Sequence, residues 1–373
     1  MATQNTRLYK PQINLSNPTA ARMWLVSLCA ALAVLQSSLS DSFASLIVAF
    51  SAVVAAIVTE SLIYFRTERS GTIKDGSAVT SALVLTLLLP NQIHPVYAAL
   101  GAAFAMTVVK HSFGGLGANW MNPALGGWLF IRFSWPEVFH KALEKSPLAL
   151  LLEGMKQGLE DPEGSPLGIL KLIEAAREAP QDPFLNGLLS SFLNGGLFSF
   201  TALEFPESYI ELFNASAPGI IADRGILALL LGTVILTAAQ TRRSWVPAAY
   251  LGVYLLLVRI FGAIPFGGSL GQGDLLFGLF SGGVLAAAFL LISEPATGPK
   301  SNRGILGAAV LGGALAFLFR YRGLETYGAF AALGLINALV PVIRDLESRL
   351  LYKDGVLCYE RNERNEKNEY KKA

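Results

Sequence analysis

Charge and cysteine are both scarce in this chain, and each shortage narrows what the protein can be. Only 15% of its 373 residues are Asp, Glu, Lys or Arg, and the formal net charge is +2. That balance offers no basic surface for a polyanion, so nucleic acid is not expected as a partner. The two cysteines, Cys29 in an apolar run and Cys358 in a charged one, cannot build a disulfide framework or a thiolate metal centre. No ferredoxin-type cysteine set and no dinucleotide-binding glycine fingerprint occurs. Chemistry that needs those motifs has to come from partner chains.

What the chain has in abundance is hydrophobicity: 53% apolar residues and a mean hydropathy of +0.48 mark an integral membrane protein. The first residues, "MATQNTRLYKPQINLSNPTAARMW", stay polar too long to read as a cleaved signal peptide. A spanning helix takes about 20 mostly apolar residues. Candidate runs are Ala21–Leu39, Ser42–Phe65, Val96–Val109, Asn122–Phe133, Gly225–Gln240, Val246–Phe261, Leu275–Ile292, Gly304–Phe319 and Glu325–Ile343. Ser77–Pro90 adds a run of about half that length. The expectation is an all-α membrane protein with about ten crossings, some of them broken or tilted helices.

Lys and Arg bias orients the spans. With the N-terminus inside, Arg7, Lys10, Arg66, Arg69, Lys74, Lys110, Arg242, Arg243, Lys300 and Arg303 all fall on the cytoplasmic side, and only Arg320 and Arg322 disagree. The organisation that follows is a cytoplasmic segment over 1–20, a first membrane repeat over 21–133, an extracytoplasmic helical insert over 134–224, a second repeat over 225–343 and a charged cytoplasmic tail over 344–373. Both termini are then cytoplasmic. The two halves echo each other: an apolar run, a polar break with proline, a Gly/Ala-rich run ending in basic residues, then an Asn before a further apolar stretch ("WMNPALGGWLFI", "GLINALVPVI"). With an odd number of crossings per half, such repeats have inverted topology and place binding sites near the midplane.

Three polar interruptions stand out within the apolar background. In "KDGSAVTSALVLTLLLPNQ", Asp75 or Ser77 caps a helix whose first amides point at whatever lies there; a capped half-helix without a ligand explains the residues equally well. In "HSFGGLGANWMNPALGGWLFI", Asn119 and Asn122 are spaced to share one side of a helical turn. Their amides suit a heteroaromatic edge of alternating donors and acceptors such as a neutral isoalloxazine, or else they cap helix ends. In "ISEPATGPKSNRG", Glu294 follows an apolar span, where an ionisable group reads as functional by default or as an interfacial carboxylate paired with Lys300 or Arg303. Glu60, within "VTESLIYF", poses the same choice and reads as interfacial.

The stretches "DGSAVTSALVLTLLLP", "GGLGANWMNPALGG" and "SEPATGPKSNRG" resemble, in order and spacing, signature segments of the NqrB/RnfD family, the flavin-bearing membrane subunits of ion-translocating electron-transport complexes. The resemblance runs from about Lys74 to Ile343, omitting the outer insert and the tail, and the short N-terminal region is closer to RnfD. It implies ten transmembrane helices in two inverted repeats, a non-covalent riboflavin in the bundle, and an FMN linked through its phosphate to an extracytoplasmic threonine. It also implies that Asn119, Asn122 and Glu294 line the riboflavin region, with Glu in place of the usual Asp and Trp120 where Pro is common. The FMN-attachment sequence has no counterpart with threonine. Its nearest match is "DPEGSPLGILK", which puts Ser165 at the acceptor position and at the start of a helix opened by Pro166, although a simple Ser-Pro helix start accounts for the same residues. Thr201 lacks that context.

The function implied is an RnfD-like subunit of a bacterial inner-membrane complex, in contact with other subunits and membrane lipid, that passes electrons between ferredoxin and NAD while Na+ or H+ moves. No catalytic side chain and no metal is expected; the flavin carries the chemistry. The competing readings are an inverted-repeat channel or transporter without flavin, an NqrB-like subunit of a Na+-translocating NADH:quinone reductase, and a structural subunit that has lost its flavins.

Overall fold

The computed structural model describes residues 19–39, 43–67, 75–112, 114–115, 119–143, 219–239, 244–266, 269–294, 296–322 and 326–370, with the backbone alone at 140–143 and 350–370. The expected acceptor Ser165, Thr201 and most of the outer insert lie outside the described residues. Everything regular among the described residues is helical, apart from one isolated bridge between Pro90 and Ile220.

Helices α1 (Thr19–Leu39) and α2 (Ala44–Thr67) show why the fold belongs in lipid. On α1 the outward positions are Leu28, Leu32, Leu35 and Leu39, while Val26, Cys29, Ala30, Ala33 and Ser37 are buried. On α2, Ile47, Phe50, Val54, Val58, Leu62 and Phe65 face out, over buried Ala49, Ala52 and Ala56. Large side chains outside and small ones inside invert the pattern of a soluble helix, and small residues let helix backbones approach closely. Four helices among the described residues are long and apolar enough to cross a membrane: Thr19–Leu39, Ala44–Arg66, Asn302–Tyr321 and Gly328–Arg349.

Helix α3 (Ser77–Leu88) has 12 residues, about 18 Å of rise, roughly half a bilayer core. It is almost wholly buried and packs on α1 and α2. Its N-cap is Gly76 at φ 74°, a left-handed position that costs a side-chain-bearing residue about 1–2 kcal/mol. Helix α4 (Pro95–Phe104) continues as a π-helical segment, Ala105–His111, and packs on α2 and on α5 (Pro123–Ser134). At the α4–α5 contact a Cβ on Gly127 would stand 2.6 Å from the Gly101 carbonyl oxygen, so no larger residue fits there. Short helix α6 (Pro136–Leu143) follows.

The second half begins with a four-residue turn, α7 (Ile221–Arg224), then α8 (Ile226–Ala238) and α9 (Trp245–Phe261). The apolar run expected as one helix over Leu275–Ile292 is two pieces. Helix α10 (Leu275–Phe280) stops, Gly282 and Gly283 turn with φ of 72° and 67°, and α11 (Val284–Ala286) restarts and passes into a π-helical segment, Ala287–Ile292. The turn is packed against the side chain of Phe330 closely enough to exclude anything larger than glycine: a Cβ on Gly283 would lie 2.1 Å from its Cζ. Helix α12 (Asn302–Tyr321) packs on α9 and on α13 (Gly328–Tyr370), which continues without interruption through Pro341 and past residue 344.

Both interruptions are held by the segment around α7. The Asn91 amide donates to the Gly219 carbonyl (2.9 Å), the Gly219 amide to Asn91 Oδ1 (3.1 Å) and the Ile221 amide to the Leu89 carbonyl (2.9 Å). Further along the same segment, the Asp223 carboxylate accepts from the Gly282 and Gly283 amides at 2.7 Å each. Amides freed by a broken helix need acceptors where water is absent, and Asp223 supplies them.

Candidate functional site

The three interruptions marked in the sequence converge. Asn122 is the N-cap of α5: its Oδ1 accepts from the Leu125 amide at 3.2 Å, and Pro123 occupies the first helical position, where its missing N–H costs nothing. The cap leaves the amide nitrogen of the side chain pointing away, and it donates to Glu294 Oε2, 172 residues later in the chain. The backbone amide of Asn122 donates to Asn337 Oδ1 of α13 at 3.2 Å, and Asn337 Nδ2 donates to the Leu333 carbonyl at 2.9 Å.

Asn119 does not share a helical turn with Asn122; it lies in the chain leading to the cap. It is buried, 4% exposed, and its Oδ1 has no hydrogen-bond partner. A buried amide oxygen left unsatisfied costs about 1–3 kcal/mol.

At the start of α3 the capping is done by Asp75, not Ser77. Asp75 Oδ1 accepts from the Ser77 amide at 2.8 Å and from Ser77 Oγ at 2.5 Å. Ser77 Oγ in turn accepts from Lys110 Nζ at 2.6 Å, and Lys110 also donates to Glu60 Oε1. Here the charge-bias reading of Lys110 as a loop marker is corrected. The π-helical segment turns its side chain into the bundle, where Lys110 and Glu60 are 1% and 2% exposed. Glu60 is likewise buried, with His111 Nε2 3.6 Å from its Oε1.

Two cavities meet at Glu294. A space of about 20 Å³, enough for one water, is lined by Ser77, Thr80, Lys110, Asn119, Asn122 and Glu294. A second, of about 700 Å³, is lined by Arg22, Trp245, Glu294, Thr297, Lys300 and Asn337 among others. That volume falls in the range of cofactor pockets, about 300–1,000 Å³. The loop forming one wall is fastened from α13: Arg344 Nη2 donates to the carbonyls of Ala296 (3.2 Å) and Gly298 (2.8 Å), and Glu347 accepts from the amides of Lys300 and Ser301 at 3.1 Å each. Among the described residues no cluster of His, Cys, Asp and Glu is arranged to hold a metal ion.

Of the residues singled out in the sequence, Ser77, Asn119, Asn122 and Glu294 line the small cavity, Glu294 alone also lines the larger one, and Asp75 stands one hydrogen bond behind Ser77. Sequence reasoning gave these five as candidates. It missed Lys110 and the loop clamps Arg344 and Glu347. For Lys110 a signal existed: a lysine that follows Ala103, Phe104 and Ala105 with no turn residue between lies inside the helix and not beyond it.

Known proteins give this geometry its context. The chain is 28% identical over 334 residues to the D-type subunit of a proton-translocating ferredoxin:NAD(+) oxidoreductase complex of Clostridium ljungdahlii, covering 89% of this chain and 91% of that one. It is 27% identical over 339 residues to the D-type subunit of an ion-translocating oxidoreductase complex of Shewanella amazonensis, covering 89% and 93%. To the D-type subunit of the Na(+)-translocating ferredoxin:NAD(+) oxidoreductase complex of Acetobacterium woodii it is 27% identical over 300 residues, 80% of each chain. The sequence profile of one family matches residues 7–353, a span that takes in every residue of the site above, and the chain belongs to that family, the NQR2, RnfD, RnfE family.

Proposed function

We propose that this chain is the D-type membrane subunit of an ion-translocating ferredoxin:NAD oxidoreductase complex of the bacterial inner membrane, and that it holds a flavin in the larger cavity against Glu294, with Asn119 and Asn122 next to that carboxylate on its other side. The relatives' names support the first part. One observation carries the second: a buried amide oxygen without a partner, on Asn119, beside the Asn122 amide and a carboxylate, Glu294, contributed from 172 residues further along the chain. The donor set fits an isoalloxazine edge, which alternates N–H, C=O and N. The 700 Å³ cavity that shares Glu294 is of cofactor size, whereas the 20 Å³ space alone would admit no ring.

A bound flavin supplies electron transfer one electron at a time; the protein supplies position and electrostatics. Asn122 is fixed by its capping bond, so its Nδ2 keeps one direction. Glu294 offers acceptor oxygens and a negative charge, and Asn119 an acceptor already desolvated. Riboflavin is the proposed occupant. A covalent FMN is proposed at Ser165, and mass spectrometry of the Glu160–Lys171 peptide from membranes of producing cells should show the added FMN mass; the bare peptide mass would remove Ser165 from the proposal.

The proposal extends to ten crossings in two inverted repeats with both termini cytoplasmic. It is supported by a correspondence between the halves: Lys110 and Arg320 are each the penultimate residue of a helical segment, and each binds a serine at a helix break, Ser77 or Ser281.

The decisive experiment replaces both asparagines. Asn119→Leu with Asn122→Leu should leave the full chain, produced with its neighbours and a flavin supply, without acid-extractable flavin, while wild type is yellow. Unchanged flavin content in the double variant overturns the site. A colourless wild type overturns the flavin reading and favours a channel or transporter.

A further inference from the structure

The smaller cavity beside Glu294 is short of donors in one place and has them to spare in another. Asn119 Oδ1 is buried without a hydrogen-bond partner, and Asn119 lines this space. The hydroxyl protons around it are already committed: Ser77 Oγ donates to Asp75 Oδ1 (2.5 Å), Thr80 Oγ1 to the Gly76 carbonyl (2.9 Å) and Ser81 Oγ to the Ser77 carbonyl (2.8 Å). Two lining side chains keep a spare N–H. Lys110 Nζ has three, of which Glu60 and Ser77 take two, and Asn122 Nδ2 has two, of which Glu294 takes one. Neither is hydrogen-bonded to Asn119 Oδ1. The space, about 20 Å³, exceeds the roughly 10–15 Å³ that one water needs, and its wall offers the two or more polar groups that hold such a water.

We infer that this space is a binding site for one water molecule, which accepts from Lys110 Nζ and donates to Asn119 Oδ1 and to the Glu294 carboxylate. Charge selects water over an ion: a cation would stand against the Lys110 ammonium and an anion against Glu294, both in a low-dielectric interior. A neutral molecule that donates and accepts suits both walls. A water bridging two protein groups is nearly as favourable as a direct hydrogen bond, so the Asn119 oxygen is satisfied without any side chain moving. The bridge joins two residues of the first half of the chain to one of the second. The water site stands without a cofactor; its consequence for a flavin rests on the reading above. A ring in the larger cavity meets Glu294, and Asn119, across a space too small for a ring, acts on that carboxylate through the water as a positioning residue.

The test uses the full chain produced with its neighbouring subunits, as wild type and as Asn119→Leu. A density map at a resolution that shows ordered waters should contain one peak in the wild type within hydrogen-bonding distance of Asn119 Oδ1 and Lys110 Nζ, and none there in the variant. No peak, a peak that does not touch Lys110, or an Asn119 side chain turned onto a protein donor overturns the inference. Radiolytic labelling in heavy-oxygen water is the second readout, since radicals formed from a held water oxidise the side chains that touch it. Leu290, 2% exposed, lines the space, whereas Leu85, 0% exposed, lines neither cavity. Label on Leu290 should exceed that on Leu85 by roughly fivefold or more, because a buried water is held in place, and Asn119→Leu should abolish the difference. Equal labelling in the wild type overturns the site. Should the variant fail to accumulate, the wild-type map and the comparison of the two leucines still decide. Flavin extracted from the same preparations separates the readings: the water peak without flavin removes the flavin reading alone, and flavin without the peak removes this inference alone.

Discussion

Arg320 enters the bundle with its donors placed. Its Nη1 donates to Tyr254 Oη at 2.9 Å, to the Gly278 carbonyl at 3.0 Å and to the Ser281 carbonyl; Nη2 donates to Ser281 Oγ; and its Cζ lies 5.5 Å from the Phe277 ring centroid. Arg320→Met should lower stability by about 1–3 kcal/mol, because the Ser281 carbonyl loses its donor while the Gly278 carbonyl keeps the Tyr254 hydroxyl. Thermal unfolding in detergent measures it. Arg320→Lys should recover only part, since an ammonium cannot reproduce the planar fork. This residue also shows what a sequence hides. Counting charges by side of the membrane treats every Lys and Arg as a loop residue. Lys110 and Arg320, 1% and 3% exposed, are not, and for the same reason Arg320 falls on the wrong side of that count. Asn122 and Glu294 were legible because a polar group in an apolar run is conspicuous by itself. Glu60 was conspicuous too, but its pairing with Lys110 was not, because the two lie 50 residues apart.

At the scale of elements, length was readable and continuity was not. Ser77–Pro90 is too short to cross, and α3 is indeed a buried half-length helix. Leu275–Ile292 has the length and hydropathy of a full span, and glycine pairs are ordinary in membrane helices. Its break becomes physical only through Asp223, which takes the two freed amides from 59 and 60 residues upstream, and through Phe330, which fills the turn. The end of the last apolar run at Ile343 marks a change of surroundings and not of secondary structure, because α13 carries straight on to Arg344 and Glu347 and uses them to fasten the loop beside the larger cavity. Charge composition announced the change of surroundings; the hydrogen bonds that α13 makes to a loop some 46 residues earlier could not be read from it.

For the whole molecule, the proposed orientation makes the cysteines informative. Cys29 is 2% exposed within α1. Cys358 belongs to the charged stretch after residue 344. With both termini cytoplasmic, a membrane-impermeant maleimide should label Cys358 in inverted vesicles and leave spheroplasts unlabelled, with Cys29 silent in both. Labelling of spheroplasts would reverse the topology and with it the side on which the large cavity opens.

The short stretch from Gly219 to Asp223 acts as a yoke. It binds Leu89 and Asn91 with one end and Gly282 and Gly283 with the other. Five residues thus tie a turn in the first half of the chain to a turn in the second.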